Sequence, residues 1–259
     1  MILINILIKN FHIWFFLSMH EVKKRYRRSI IGPFWVVFSN IIIILILSLI
    51  YSIILKKNLE WYILYLSFGF ILWQNISSNI SEAPETFIRS APLIKNYRIS
   101  NYNYIFRDVS KNFINLIHNF PYWIFILIWF EVKISLYTFS FIISYFILFL
   151  NMTWINVILA LVSLRFRDFN SLTSVFIQLS FFATPVLWDA SHILEARPQL
   201  SWIIYLNPFY HLIEIFRQPL MQGIFPTNSF IFCILMLFFG IIFANYLMRK
   251  YSHRVAFWL

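Results

Sequence analysis

The stretch Arg25-Tyr-Arg-Arg-Ser-Ile-Ile-Gly-Pro-Phe-Trp35 joins a dense basic cluster to a long apolar run, and this junction indicates a membrane-spanning helix. The basic residues at positions 23 to 28 stop before Gly32, and the apolar residues then continue almost unbroken to Leu55. Charge of this density is costly in hydrocarbon, so the cluster must lie at a membrane face. A helix over residues 34–55 is long enough to cross the bilayer. Because Lys and Arg favour cytoplasmic loops, the basic side is predicted to be cytoplasmic.

The composition is that of an integral membrane protein. Of the 259 residues, 61% are hydrophobic and 12% are charged, whereas soluble domains contain about 45–50% apolar and about 25% charged residues. The single cysteine, Cys233, excludes an intrachain disulfide. No room is left for a large soluble domain, and we predict one all-α transmembrane domain over residues 1–259.

Six membrane-spanning helices are predicted from the apolar runs. They cover residues 34–55, 61–80, 113–130, 136–164, 169–187 and 230–248. Pro121 should kink the third of these spans. Residues 1–30 are predicted to contain an amphipathic helix lying along the cytoplasmic interface, because apolar residues recur there near helical spacing.

Two connections differ from ordinary loops. The cytoplasmic segment 81–112 contains an amphipathic stretch at residues 86–97. The external segment 188–229 contains apolar stretches at 200–206 and 210–221, which are too short to span and are predicted to be re-entrant helices. Backbone of this kind persists at membrane depth only when it packs in protein or lines a cavity.

One helix face in the external segment carries three polar residues at a spacing of three. His211, Glu214 and Arg217 are predicted to pair with one another, which would make a short helix tolerable at membrane depth. The alternative is that they form a gate.

The distribution of charge supports this topology. The N-terminus, segments 81–112 and 165–168 and the C-terminus together carry the whole formal excess of +11, and the other side sums to zero. The net positive charge is therefore explained by the cytoplasmic membrane surface, where Lys and Arg are favoured. No nucleic-acid partner is expected.

Several enzyme signatures are absent from the sequence. No Gly-x-x-x-x-Gly-Lys-Ser/Thr loop occurs, so this chain does not bind ATP in that manner by itself. The histidines are scattered, and we expect no metal or cofactor on this chain. A membrane-bound glycan enzyme would need acids placed for catalysis, whereas the acids here are few and scattered, and no catalytic residue is predicted.

Three motifs, taken in order, resemble the membrane subunit of type-2 ABC exporters. They are the 25–35 junction, Leu164-Arg-Phe-Arg-Asp-Phe169, and Ala183-Thr-Pro-Val-Leu-Trp188 followed by residues 205–217. The resemblance is to the branch that moves lipid-linked O-antigen, capsular polysaccharide or teichoic acid across the bacterial inner membrane. It implies a homodimer with a separate ATP-binding subunit, which would carry ATP and Mg, docked on each copy. A type-2 exporter of drugs or lipids is the alternative.

The resemblance also implies a coupling helix within residues 81–100 that contacts the ATP-binding subunit. The candidate residues are Glu82, Glu85, Thr86, Phe87, Arg89 and Leu93. The alternative is an ordinary solvated loop.

Aromatic and basic side chains supply the remaining candidates. Flat aromatic faces pack against sugar rings, although lipid-facing belts explain aromatic residues equally well. Arginine offers a planar fork that suits phosphate oxygens, although the basic cluster also serves simply to orient the first span. The candidates for a substrate path are Phe34, Trp35, Tyr51, Trp73, Phe176, Phe181, Phe182 and Trp188, and those for a phosphate headgroup are Arg25, Arg27 and Arg28.

The charge split predicts that Arg98 and Lys57 lie on opposite sides of the membrane. With Cys233 replaced by Ser, cysteines introduced at these two positions should differ in their reaction with an impermeant maleimide in intact cells. The cysteine at position 57 should react, and the one at position 98 only after the membrane is permeabilised. Equal labelling of both in intact cells would contradict the six-span topology.

Overall fold

The computed structural model describes residues 2–191 and 197–259, and these residues form α-helices joined by short turns, with no strand among them. The prediction of an all-helical membrane protein is confirmed. The helices are α1 (Ile2–Lys9), α2 (Phe11–Tyr26), α3 (Phe34–Ile54), α4 (Leu59–Glu82), α5 (Thr86–Arg89), α6 (Ala91–Asn96), α7 (Asn101–Ile117), α8 (Phe120–Trp129), α9 (Phe141–Arg165), α10 (Phe169–Ala183), α11 (Ser201–Tyr205), α12 (Pro208–Gln222), α13 (Thr227–Tyr251) and α14 (Val255–Trp258).

The basic junction folds as a tight turn between α2 and α3. Gly32 has a φ of +59°, in the left-handed region that glycine enters without a steric penalty. Its backbone N–H donates to Ser29 Oγ at 3.0 Å. Pro33 then precedes α3, where its fixed φ suits a helix start. The turn therefore separates the basic end of α2 from the apolar α3.

Helix α4 forms the centre of the bundle. Most of its side chains between Tyr62 and Ile80 are buried, and it packs against α3, α7, α9, α10 and α12. Helix α13 packs along α9, and α2 packs along α7 through Trp14 and Val22. Helix α3 turns many large apolar side chains outward, as a helix in contact with lipid does.

Three stretches of the described chain are long and apolar enough to cross a membrane: Phe34–Ile54, Leu136–Arg165 and Thr227–Trp258. They coincide with the predicted first, fourth and sixth spans. Helix α4 is also long, but buried polar residues such as Asn75 and Asn79 lower its apolar character. The count of six spans therefore stays a prediction.

The third and fifth predicted spans differ from the helices observed. The stretch 113–130 is divided at His118 and Asn119, and Pro121 lies in the first turn of α8 instead of kinking one continuous helix. The preceding helix, α7, already begins at Asn101. Helix α10, which corresponds to the fifth predicted span, ends at Ala183 and not at residue 187. It ends there because Pro185 forces the preceding residue, Thr184, into an extended conformation.

Gly240 on α13 lies directly against the indole ring of Trp154 on α9, and its replacement by alanine should destabilise the fold. A Cβ at this position would clash with the indole ring of Trp154. Alanine by itself favours a helix by about 1 kcal/mol over glycine, whereas overpacking costs about 1–3 kcal/mol. We expect Gly240→Ala to lower the unfolding temperature of the purified protein in detergent. Phe239→Ala, at an exposed position, is the control, and an unchanged or raised temperature for Gly240→Ala would contradict the packing.

Candidate functional site

A cluster of charged side chains surrounds Asp108 at the end of the bundle that carries the basic junction. Asp108 is 2% exposed. Its Oδ1 lies 2.7 Å from Arg107 Nη2, and its Oδ2 accepts hydrogen bonds from Arg89 Nη2 at 2.9 Å and from Thr86 Oγ1 at 2.8 Å. Asp108 therefore joins α7 directly to α5, within the predicted coupling segment.

Glu82, the last residue of α4, contacts residues of three other helices in this cluster. Its Oε2 lies 2.6 Å from Lys111 Nζ, and Oε1 lies 3.6 Å from Arg25 Nη2 on α2. The Glu82 carbonyl also accepts from Arg89 Nη2 at 3.0 Å. Glu85 lies 3.8 Å from Arg89 and accepts from Asn170 on α10 at 3.2 Å. The cluster thus connects α2, α4, α5, α7 and α10.

The cations of this cluster lower the pKa of Asp108. Burial by itself would raise that pKa, but Arg107, Arg89, Lys111 and the Thr86 hydroxyl together outweigh the burial. The pKa of Arg89 is raised, since its carboxylate partners outweigh its own burial. Both groups are therefore charged at neutral pH, and each is stabilised by the other.

The predicted coupling residues occupy two different environments. Glu82, Glu85, Thr86 and Arg89 belong to the charged cluster, whereas Phe87 is fully buried in the core and Leu93 is half-buried on α6. The exposed side chains of this segment include Ile88 and Tyr97, which the sequence analysis did not select.

Arg107, Asp108 and Lys111 were not predicted to be site residues. Their position in the chain indicated the end of a cytoplasmic loop, since charged residues are rarely buried. The signal was nevertheless present, because Arg107 and Asp108 precede Lys111 by four and three positions, the spacing of one helix face.

Three of the predicted substrate-path residues line one cleft between α4 and α10. Trp73, Phe181 and Phe182 surround a cavity of about 390 Å³ together with Gln74, Ser77 and Gln178. The rings of Trp73 and Phe181 lie 5.6 Å apart, and those of Phe181 and Phe182 lie 5.4 Å apart. This cleft, which we call the aromatic cleft, therefore combines aromatic faces with hydrogen-bonding groups.

The other aromatic candidates lie outside the aromatic cleft. Phe34 and Trp35 are exposed near the start of α3, and Tyr51 stacks on Tyr62. Phe176 lines a separate, almost wholly apolar cavity. Trp188 donates through Nε1 to the Phe182 carbonyl at 3.1 Å, so it braces the cleft from outside.

Arg217 fastens the turn at residues 184–188 to α4. It lies 3.0 Å from Glu214 Oε1 and donates to the Pro185 carbonyl at 3.0 Å. Its guanidinium lies 3.9 Å from the centre of the Tyr65 ring, and any Cβ at Gly69 would clash with it. Tyr65 Oη donates to the carbonyls of Pro185 and Trp188, and Tyr62 Oη donates to that of Leu187.

His211 does not join the pair formed by Glu214 and Arg217. Its ring nitrogens lie 2.9 Å from Ser229 Oγ and 2.9 Å from the Tyr205 carbonyl. The structure therefore brings together two of the three residues predicted to pair, and it places His211 between α11 and α13.

The three arginines of the basic junction also differ from one another. Arg25 lies against Glu82 and beside a small polar cavity, whereas Arg27 and Arg28 are exposed in the turn before α3. Among the described residues, no group of three His, Cys, Asp or Glu side chains is placed to hold a metal ion.

Comparison with known proteins places this arrangement in one family. Residues 13–221 match the model of the ABC-2 type transporter family, and the chain belongs to that family. It is a multi-pass membrane protein and a transport subunit, not an enzyme, of a transporter that includes an ATP-binding partner.

Relatives with assigned names support the same class. The chain is 26% identical over 208 residues to an O-antigen export system permease protein RfbA of Klebsiella pneumoniae, covering 79% of this chain and 78% of the relative. It is 23% identical over 223 residues to the RfbA permease of Myxococcus xanthus, covering 81% and 80%.

Replacement of Asp108 by asparagine should destabilise the protein, because it leaves Arg107 buried without a counter-charge. Breaking a buried ion pair costs about 3 kcal/mol or more. Since the pKa of Asp108 is lowered on folding, its contribution is present above about pH 4, the ordinary carboxyl pKa, and is lost as the pH falls through the native value. We therefore expect Asp108→Asn to unfold at a lower temperature at pH 7 and to lose less stability than the wild type on acidification.

Asp168→Asn, in an exposed turn, is the matched control and should behave as the wild type. An Asp108→Asn variant with wild-type stability at pH 7 would show that the cluster does not hold these helices together.

Proposed function

We propose that this chain is the membrane-spanning subunit of an ATP-driven exporter that moves a lipid-linked polysaccharide from the cytoplasm across the bacterial inner membrane. The similarity to O-antigen export permeases supports this substrate class. The structural support for this proposal is the aromatic cleft. There the rings of Trp73, Phe181 and Phe182 lie beside the side-chain amides of Gln74 and Gln178. Sugar rings offer both apolar faces and hydroxyl edges to such a surface.

In this proposal the chain has six spans, cytoplasmic termini and an external re-entrant region at 188–229. Two copies form the pathway, and each copy binds one ATP-binding subunit. The charge excess on one side supports this orientation. The basic junction would face the lipid phosphate as the substrate enters, with Arg25, Arg27 and Arg28 near its path.

The charged cluster would connect ATP hydrolysis to the spans. An ATP-binding subunit that contacts the exposed Ile88 and Tyr97 would move α5. Because Arg89 and Thr86 are both bound to Asp108, that movement would reach α7, and the Arg89 bond to the Glu82 carbonyl would carry it to α4.

Export of a drug or an unmodified lipid remains the second candidate. Its support is the apolar cavity of about 570 Å³ lined by Phe176, Phe209 and Trp154. Such a cavity suits an apolar molecule and has few polar groups for a sugar.

Loss of this chain should leave polysaccharide inside the cell. We expect deletion to remove the glycan from the surface, to raise the lipid-linked glycan extracted from the cytoplasmic side, and to be reversed by the wild-type chain. Phe182→Ala should restore export only in part at an equal membrane level, because it removes an aromatic face from the cleft.

Leu179→Ala, at an exposed position on the same helix, is the control and should restore export fully. A deletion strain with normal surface glycan and reduced efflux of an apolar drug would favour the second candidate.

A further inference from the structure

A small polar cavity lies between α3, α4 and α7, beside the basic junction. It measures about 100 Å³ and is lined largely by amide side chains. We call it the amide cavity, and its amides are Asn40, Gln74, Asn75, Asn112, Asn115 and Asn119. This concentration of amides inside an apolar bundle is costly unless the groups are satisfied.

The hydrogen bonds within the protein use mainly the amide nitrogens. Asn40 Nδ2 donates to Asn119 Oδ1 at 3.1 Å, and Asn75 Nδ2 donates to the Asn112 carbonyl at 2.9 Å. Asn112 Nδ2 donates to Glu82 Oε2 at 3.2 Å. The polar atoms of the amide cavity that form no hydrogen bond are therefore mainly amide oxygens, which accept hydrogen bonds. A hydroxyl group of a ligand can donate to such an oxygen.

Asn115 gives the clearest sign that an occupant belongs here. Its Oδ1 is buried and accepts no hydrogen bond from any residue of the described chain. The side chains of Gln74 and Ser78 likewise form no hydrogen bond within the described residues, although both line the cavity.

The cavity also has an uncompensated positive charge beside it. The Glu82 carboxylate is shared between Lys111 at 2.6 Å and Arg25 at 3.6 Å. One negative charge therefore faces two positive ones, and Arg25 is half-exposed at the cavity. An anionic group of a ligand beside Arg25 would neutralise the second positive charge.

Gln74 connects the amide cavity to the aromatic cleft, because its side chain lines both. A molecule whose anionic end lies at Arg25 and whose hydroxyl groups enter the amide cavity would therefore continue past Gln74 toward Trp73 and Phe181.

We propose that the amide cavity is the subsite for the sugar joined directly to the lipid phosphate. The hydroxyl edge of this sugar donates to Asn115 Oδ1 and its neighbours, and the phosphate lies against Arg25. The volume suits the edge of one ring and not an oligosaccharide. This inference rests on the proposed function, and it assigns selection of the first sugar to Asn115 and its neighbours in the amide cavity.

The test measures binding of two probes to the complex of this chain with its ATP-binding subunit in nanodiscs. One probe is farnesyl diphosphate linked to N-acetylglucosamine, and the other is farnesyl diphosphate alone. Asn115→Leu keeps the side-chain size and breaks no side-chain hydrogen bond of the described protein. We expect it to weaken binding of the glycosylated probe about three- to tenfold, the size of one hydrogen bond, and to leave the other probe unchanged.

Asn103→Leu is the matched control, because Asn103 is a fully buried amide on the same helix with neither polar atom bonded within the described chain. It should bind both probes as the wild type does. If Asn115→Leu does not accumulate, Ser78→Ala provides the same comparison, because Ser78 lines the amide cavity and not the aromatic cleft.

Three results would overturn the subsite. If Asn115→Leu binds the glycosylated probe as tightly as the wild type, the cavity holds only water and the proposed function is untouched. If the variant weakens both probes equally, the position is structural. If the wild type binds neither probe, the substrate class in the proposed function fails together with the subsite.

Discussion

The charges buried at one end of this helical bundle must be paired, and the arrangement of the surrounding helices satisfies that requirement. Asp108 lies inside the protein, where an isolated carboxylate would be costly. Arg107 and Arg89 reach it from α7 and α5, and Glu82 receives Lys111 and Arg25 in the same way. Arg107 belongs to the same helix as Asp108, but the pairs Arg89–Asp108, Lys111–Glu82 and Arg25–Glu82 each join two different helices. A displacement of one of these helices therefore leaves a charge unpaired. The cluster therefore favours concerted movement of these helices.

This constraint links the predicted coupling segment physically to α7 and α4. Helices α5 and α6 are short and would have little stability alone. The bonds from Thr86 and Arg89 to Asp108 hold α5 against α7, and the Arg89 bond to the Glu82 carbonyl holds it to the end of α4. Helix α4 in turn carries Trp73 and Gln74 into the aromatic cleft. In the proposed function, a force applied at α5 would therefore pass through these hydrogen bonds and ion pairs to the helix that lines the cleft.

The sequence was sufficient for the helical class and the membrane location, because long apolar runs and clustered basic residues depend only on local composition. The family followed separately, from the resemblance of three motifs. It predicted a contact between Glu214 and Arg217, because a spacing of three defines one helix face. It could not predict that His211 would instead bond Ser229, since that contact depends on how α12 packs against α13. Nor could it show that α7 buries Asp108, because burial of a carboxylate requires cations from other elements. The aromatic cleft was found only in part, since the periodicity of α10 does not indicate which face meets α4.

We propose that the pairing of charges at this end of the bundle carries coupling, and exchange of the two charges of one pair tests this role. Glu82→Lys and Lys111→Glu, each expressed at the wild-type membrane level with the ATP-binding subunit, should reduce surface glycan because each leaves like charges in contact. The double variant restores opposite charges between the two positions and should recover most of the export. Recovery would show that the pair itself, and not either residue, carries the effect. A double variant no better than the single ones, or single variants with normal export, would contradict the account.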